Sequence, residues 1–275
     1  VAGLDMLPWQ IVVALILGGA AAMGLYIWHA RRTASPVLDF TLLRHTTLRA
    51  SLGGGFVFRM GVGALPFLLP LLMQIGFGLS PFKSGMVTFA SAVGAMGMKT
   101  LAARIIRTFG FRPVLILNGL IACVSIAACA LFTPSTPVLL IMFVLIVGGF
   151  FRSLQFTAVN TMAYADVDVS EMSRATTLAS VNQQLAISAG VALGAFAVEA
   201  TMALRQSAEL TAADFAPAFV VISLVAATST WAFYRLPQDA GHQVSGQKVT
   251  ALQGPHAAQT APSEGTAEAR DQRLN

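Results

Sequence analysis

Charge is what this chain has least of. Asp, Glu, Lys and Arg together make up 11% of its 275 residues, where soluble domains carry about a quarter. That scarcity excludes an ordinary water-soluble domain. With hydrophobic residues at 56% and a mean hydropathy of +0.72, the chain reads as an all-α membrane protein whose first partner is the lipid bilayer. The net charge of +5 is then no nucleic-acid signature, and no nucleic-acid partner is expected. Cysteine is nearly absent: Cys123 and Cys129 share one apolar run, point to different sides of a helix and cannot bridge each other. Histidine is scarce too. His29, His45, His242 and His256 lie in loops, at a span end or near the C-terminus, so no metal site converges and no Ser or Cys has a partner at nucleophile spacing. No enzyme, metal or cofactor is expected.

What is present is a series of apolar runs. A bilayer core of about 30 Å needs about 20 helical residues. Runs of that order recur at Trp9–Trp28, Leu48–Ile75, Ser84–Ala103, Val114–Phe132, Val138–Val159, Thr176–Thr201 and Phe215–Tyr234, which predicts about seven transmembrane helices. The connections alternate in charge. Arg31, Arg32, Arg44 and Arg49 follow the first run, and Lys99, Arg104, Arg107 and Arg112 follow the third, while the loops between are nearly bare. The positive-inside rule makes the Arg-rich loops cytoplasmic, which places the N-terminus of this chain outside and its C-terminus inside. One inside loop, 163–174, is acidic (Asp166, Asp168, Glu171) and departs from the pattern. Val1 is not an initiator Met and the first charge is Asp5, so the start does not read as a signal peptide; a piece of something longer is expected. From Pro237 the chain turns polar, and residues 237–275 are expected to form a disordered cytoplasmic tail.

Two arginines, Arg59 and Arg152, interrupt these runs. A cation near the bilayer centre costs about 2.5–3.5 kcal/mol on insertion scales. On a helical wheel Phe56, Arg59, Gly63, Pro66, Pro70 and Gln74 share one side of the second span, opposite Leu65, Leu68, Leu69 and Leu72, which read as lipid-facing. In the fifth span Gly148, Gly149, Arg152, Gln155, Phe156 and Asn160 share a side, opposite Leu154 and Ala158. Phe56, Arg59, Gln74, Arg152, Gln155, Phe156 and Asn160 are therefore candidates for lining a polar cavity, with Gln183 at its edge. No acid lies deep enough to pair with either arginine; Glu199 is nearest. The sixth span carries a small-residue stripe that includes Gly190 and Gly194, which reads as a helix interface. Spans four and seven are apolar nearly all round and read as peripheral. Two successive three-helix units, each led by its polar member, match the nested inverted repeats of secondary carriers.

On these residues the chain resembles the C-terminal part of a major facilitator superfamily carrier, of the fourteen-span EmrB/QacA drug:proton antiporter type. The stretch GMKTLAARIIRTFGFRP, with Gly97, Arg104, Arg107, Gly110 and Arg112, is similar to that superfamily's cytoplasmic loop signature, with Gly97 at the helix end. The usual Asp is missing, and Ala103 stands in its neighbourhood. FRMGVGALPFLLPLLMQ and FRSLQFTAVNTMAYADV resemble the first and fourth helices of the family's C-terminal half. The resemblance implies one extra central helix and linker over 1–47 and the C-terminal six-helix bundle of a major facilitator fold over 48–236. It also implies small-molecule substrates and protons as partners, the N-terminal bundle of the same carrier as a further one, and residence in the bacterial inner membrane. Such a chain alone supplies one wall of the site and is not expected to transport.

A stand-alone seven-helix receptor-like protein is the alternative. Lys83, Lys99 and Lys248 all lie in or beside loops, so none can hold a retinal in the last span, and that span lacks an Asn-Pro turn. Arginines, amides and the aromatics Phe56 and Phe156 suit amphipathic or anionic organic compounds, without choosing between them.

Overall fold

Residues 9–236, apart from 31, 34, 35, 207 and 208, are described by a computed structural model. The start of the chain and the polar stretch 237–275 lie outside the described residues, and so does the expectation of a disordered tail. The described residues are helical throughout, with seven segments long and apolar enough to cross a membrane.

The first segment is α1 (Trp9–Ala30), which packs no broad face against the rest. Its tie to the next segment is Tyr26, whose hydroxyl accepts a hydrogen bond from the Leu38 amide at 2.6 Å. The second segment is broken: α2 (Thr46–Gly63) passes through Ala64 into α3 (Leu65–Leu71), then a π-helical turn, Leu72–Gly76. Pro66 and Pro70 explain the break, because neither can donate to the preceding turn. The Pro70 carbonyl accepts from the Ser84 hydroxyl at 3.4 Å.

Next come α4 (Pro81–Phe109), then α5 (Phe111–Pro113) leading through a π-helical turn into α6 (Gly119–Ala128). The described residues finish with α7 (Val138–Ala163), α8 (Met172–Leu204) and α9 (Phe215–Tyr234). Helix α4 outruns the expected Ser84–Ala103 at both ends, and in its last turns Arg104, Arg107 and Thr108 are exposed. Gly110 ends it at φ +79°, where a side chain would be strained.

The packing has a simple exchange rule. Helix α4 packs on α7 as α8 packs on α2 and α3; α9 lies on α2 as α6 lies on α7; and α6 meets α9 while α2 meets α7. Exchanging the unit α2–α6 with α7–α9 preserves these partners, which is the pattern of two repeats around a shared axis.

Small residues set the distances. A Cβ at Gly94 would strike the Ile146 carbonyl, and one at Gly149 the Ser91 carbonyl, so α4 and α7 run in backbone contact. On the other side Gly190 lies against the Met60 carbonyl and Gly194 against Ala64 and Leu68. Without a hydrophobic drive between helices in lipid, such close approach is what holds them together.

Two faces expected to meet lipid do the opposite. Leu65, Leu68, Leu69 and Leu72 form the bundle's largest apolar core with Phe215, Phe219 and Ile222, and Leu154 and Ala158 sit in a second one. Helices α6 and α9 are not merely peripheral. Ser223 of α9 donates to the Cys123 carbonyl of α6 at 2.8 Å, and Phe215, Phe219 and Phe233 are fully buried.

Candidate functional site

Helical side chains lean toward their helix N-terminus. Arg59 lies about 20 Å along α2 and Arg152 about 21 Å along α7, at 1.5 Å per residue. Because the two helices run in opposite directions, their guanidinium groups lean toward opposite ends of the bundle from comparable depths. Both are buried, Arg59 at 4% exposure and Arg152 at 7%.

The two sites share a construction. Each arginine follows a phenylalanine (Phe58, Phe151) and has a glycine four residues before it (Gly55, Gly148). A Cβ at Gly55 would lie 2.8 Å from Arg59 Nη1, and one at Gly148 would lie 2.7 Å from Arg152 Nη1. The missing side chain is the space in which the guanidinium rests. This Gly-x-x-Phe-Arg repeat was visible in the sequence as spacing, but its meaning depends on where the guanidinium turns.

Their partners differ. Arg59 Nη2 donates to Asn160 Oδ1 at 2.6 Å, and its guanidinium stands 5.6 Å from the Phe156 ring centre. Phe156 also meets Phe58 edge-on at 6.1 Å between centres. The structure therefore brings Arg59, Phe156 and Asn160 together and adds Phe58. Arg152 has no hydrogen-bond or ion-pair partner among the described residues, and its buried Nη1 is left unpaired. It borders two cavities. One, of about 380 Å³, lies between α2–α3, α4 and α7 with Val62, Pro66, Pro70, Thr88 and Ser91 in its lining. The other, of about 290 Å³, runs between α4 and α7 past Ser91, Ser153 and Phe156.

The remaining candidates are more scattered. Gln155 is fully buried and turned away: its Oε1 accepts from Asn118 Nδ2 at 3.0 Å, and its Nε2 donates to the Leu115 carbonyl at 2.9 Å. It ties α7 to the turn before α6. Phe56 and Gln74 are half-buried and border neither cavity. Gln183 is half-buried on α8, and its neighbour Asn182 donates to the Leu52 carbonyl at 3.1 Å. Beyond them Thr176, Ser180, Gln184 and Ser188 form an exposed polar stripe on α8. Thr176 and Ser180 return their hydroxyls to carbonyls of their own helix, Met172 and Thr176, each at 2.8 Å.

The sequence of residues 51–267 matches the Major Facilitator Superfamily. The chain belongs to the Major Facilitator Superfamily. Its members are transporters rather than enzymes, and the seven apolar helices are those of a multi-pass inner-membrane protein. Relatives named "Putative multidrug resistance protein MdtD" match as well. That of Klebsiella pneumoniae is 32% identical over 239 residues, covering 84% of this chain and 49% of its own length. That of Yersinia enterocolitica is 31% identical over 240 residues, covering 86% and 50%. That of Salmonella paratyphi A is 35% identical over 190 residues, covering 68% and 39%. The chain thus spans about half the length of the curated relatives it matches.

In this chain the segment 97–113 is barely a loop. Gly97 lies inside α4, well before its end, with open space where a Cβ would stand, so the expectation of a helix-ending glycine there is corrected. The turn is made by Gly110 alone. Arg112 then reaches α9, donating to the Tyr234 carbonyl at 3.0 Å and standing 5.3 Å from the Tyr234 ring centre. It satisfies a carbonyl at a helix C-terminus, where a cation is favoured. Arg104 and Arg107 are exposed.

The acidic loop that departed from the charge pattern has a local reason. Glu171 pairs with Arg44 at 2.6 Å and His45 at 2.9 Å, Asp39 pairs with Arg174 at 2.9 Å, and Asp166 accepts from the Thr47 amide at 3.4 Å. The acids before α8 neutralise basic residues in the segment leading to α2 and fasten the two together. Thr41, through its hydroxyl and then its amide, and Arg174 hold the Asp39 carboxyl below its ordinary value of 3.8 against the opposing effect of burial.

Proposed function

We propose that this chain is the C-terminal part of a fourteen-span, proton-coupled antiporter of the EmrB/QacA type, exporting drugs or other small organic compounds by alternating access. In this reading α1 is an extra central helix, residues 48–236 are the C-terminal bundle, and the N-terminal bundle completes the site. The Arg-rich connections lie in the cytoplasm, which puts the start of the chain outside and the tail inside. The front of the bundle is the side that carries Pro66, Arg152, Phe156 and Asn160.

The observation that carries the reading is the pair of buried arginines on α2 and α7, the leading helices of the two units. A charge at that depth is kept for a substrate or ion path far more often than for packing. The span of about half a curated relative supports the missing bundle. That Arg152 has no partner among the described residues agrees with a surface completed by something else.

The test is transport by the carrier as the cell makes it, in inside-out membrane vesicles. An imposed acidic interior should drive accumulation of a fluorescent drug, and a protonophore should abolish it. Accumulation that ignores the pH gradient, or none across a chemically varied panel, contradicts the reading.

A further inference from the structure

Arg59 and Arg152 share a cradle but not a state. Arg59 is engaged by Asn160 and Phe156. Arg152 is 7% exposed, rests its Nη1 over Gly148, and meets no acceptor among the described residues. A guanidinium without a protein acceptor, bordering a cavity, is free to take an anionic partner.

We propose that Arg152 binds the carboxylate of an anionic organic compound, seated in the cavity between α3, α4 and α7. The proposal rests on the transporter reading and adds the chemical class of what is carried. The lining supports it. Ser91 lines both cavities with Arg152, and its hydroxyl, which has no partner among the described residues, is available as a second donor. Thr88 is less available, because its hydroxyl already donates to the Ser84 and Gly85 carbonyls. Val62, Pro66 and Phe89 supply apolar surface for the organic part.

The alternatives meet a charge problem. No carboxylate lines either cavity. The acids with described partners sit elsewhere: Asp39, Asp166 and Glu171 at one end of the bundle and Asp214 at the other, where it pairs with Arg205 at 2.9 Å. A cationic compound would meet an uncompensated guanidinium, and a neutral one would leave it unpaired. A carboxylate makes two parallel charge-assisted hydrogen bonds with it, the geometry a guanidinium fits best. Gly148 leaves the room in which the guanidinium lies beside the cavity.

The experiment places a reporter in the cavity. Thr88→Cys is introduced into the carrier as the cell makes it, reconstituted in liposomes, and its reaction with a neutral water-soluble methanethiosulfonate is timed. This chain's own cysteines, Cys123 and Cys129, are buried, and the carrier without Thr88→Cys supplies the background rate. The probes are 2-naphthoate, its neutral amide, and 2-naphthylmethylamine. The expected result is saturable slowing by naphthoate alone, lost in Arg152→Gln and partly kept in Arg152→Lys, which also shows that the fold survives. Equal slowing by the amide, or slowing that survives Arg152→Gln, overturns the carboxylate site while leaving the transporter reading intact. No slowing at all overturns it in the same way, and is the outcome expected if an acid of the carrier's other bundle already occupies Arg152. A cysteine inert to the reagent would mean a cavity closed to water, and would sink both.

Discussion

Each buried arginine of this chain depends on an atom that is not there. At Gly55 and Gly148 a methyl group would fall within 3 Å of the guanidinium. The two differ in what else is close. At Gly148 the nearest obstacle is the flexible end of Arg152 itself, with Ser125 Oγ at 3.0 Å and its Cβ at 3.2 Å beyond it, so Gly148→Ala should displace the charge and cost the fold less than Gly55→Ala. In the thiol-protection assay it should weaken naphthoate protection while lowering the thermal midpoint less than Gly55→Ala does. At Gly55 a Cβ would also meet Val159 Cγ1 at 2.7 Å, inside a packed core. Gly55→Ala should therefore cost about 1–3 kcal/mol of stability, measured by unfolding in detergent. The sequence made both arginines and their aromatic and amide neighbours visible through one fact, their face on the helical wheel. It could not separate Asn160, which meets Arg59, from Gln155, which turns to Asn118 on a different span. Sharing a face with an arginine says nothing about what the neighbouring helix offers.

At the scale of helices, the seven apolar runs stood out because length and hydropathy alone define them, and α9 was read to the residue. Which side of each helix is buried was not legible. Leu65, Leu68 and Leu69 look the same whether they face lipid or a core, since both are hydrocarbon. The informative residues were the small ones, and they carry a sharp prediction. Gly149→Leu or Gly190→Leu would drive a side chain into a backbone carbonyl that cannot move without its helix. Each should cost about 3 kcal/mol and separate α4 from α7, or α2 from α8, where Gly97→Leu, facing open space, should be nearly neutral. Comparing the fraction of monodisperse protein after heating the three variants measures this directly.

The segment before α2 carries a pH prediction. Asp39 has its carboxyl held below 3.8 in the folded protein, so its contribution is present above that value and is lost as pH falls through the folded value. The stability difference between the native chain and Asp39→Asn should accordingly be constant from pH 7 to about 5 and shrink below pH 4. A difference unchanged at pH 3 would mean that Asp39 contributes nothing through its charge.

Over the whole molecule, two three-helix units exchange partners in a regular way and each presents one arginine from its leading helix. A single wall of this kind encloses nothing. Pro66 is open on one side, the polar stripe of α8 is uncovered, and Arg152 waits for an acceptor. Those features make sense if a second bundle faces them, and the chain's span of about half its curated relatives points the same way. The repeat in role was legible in the sequence because polar residues are rare in spans. The repeat in packing was not, because it resides in which backbones touch. The measurement that bears most directly on this account is the size of the native protein, from membranes blotted with an antibody to the Gln243–Asn275 segment. This chain is 28.9 kDa; a two-bundle carrier should give a band at roughly twice that, since its other half would be a structural repeat of this one. A single band at the size of the present chain would contradict the account, leaving seven helices to act on their own.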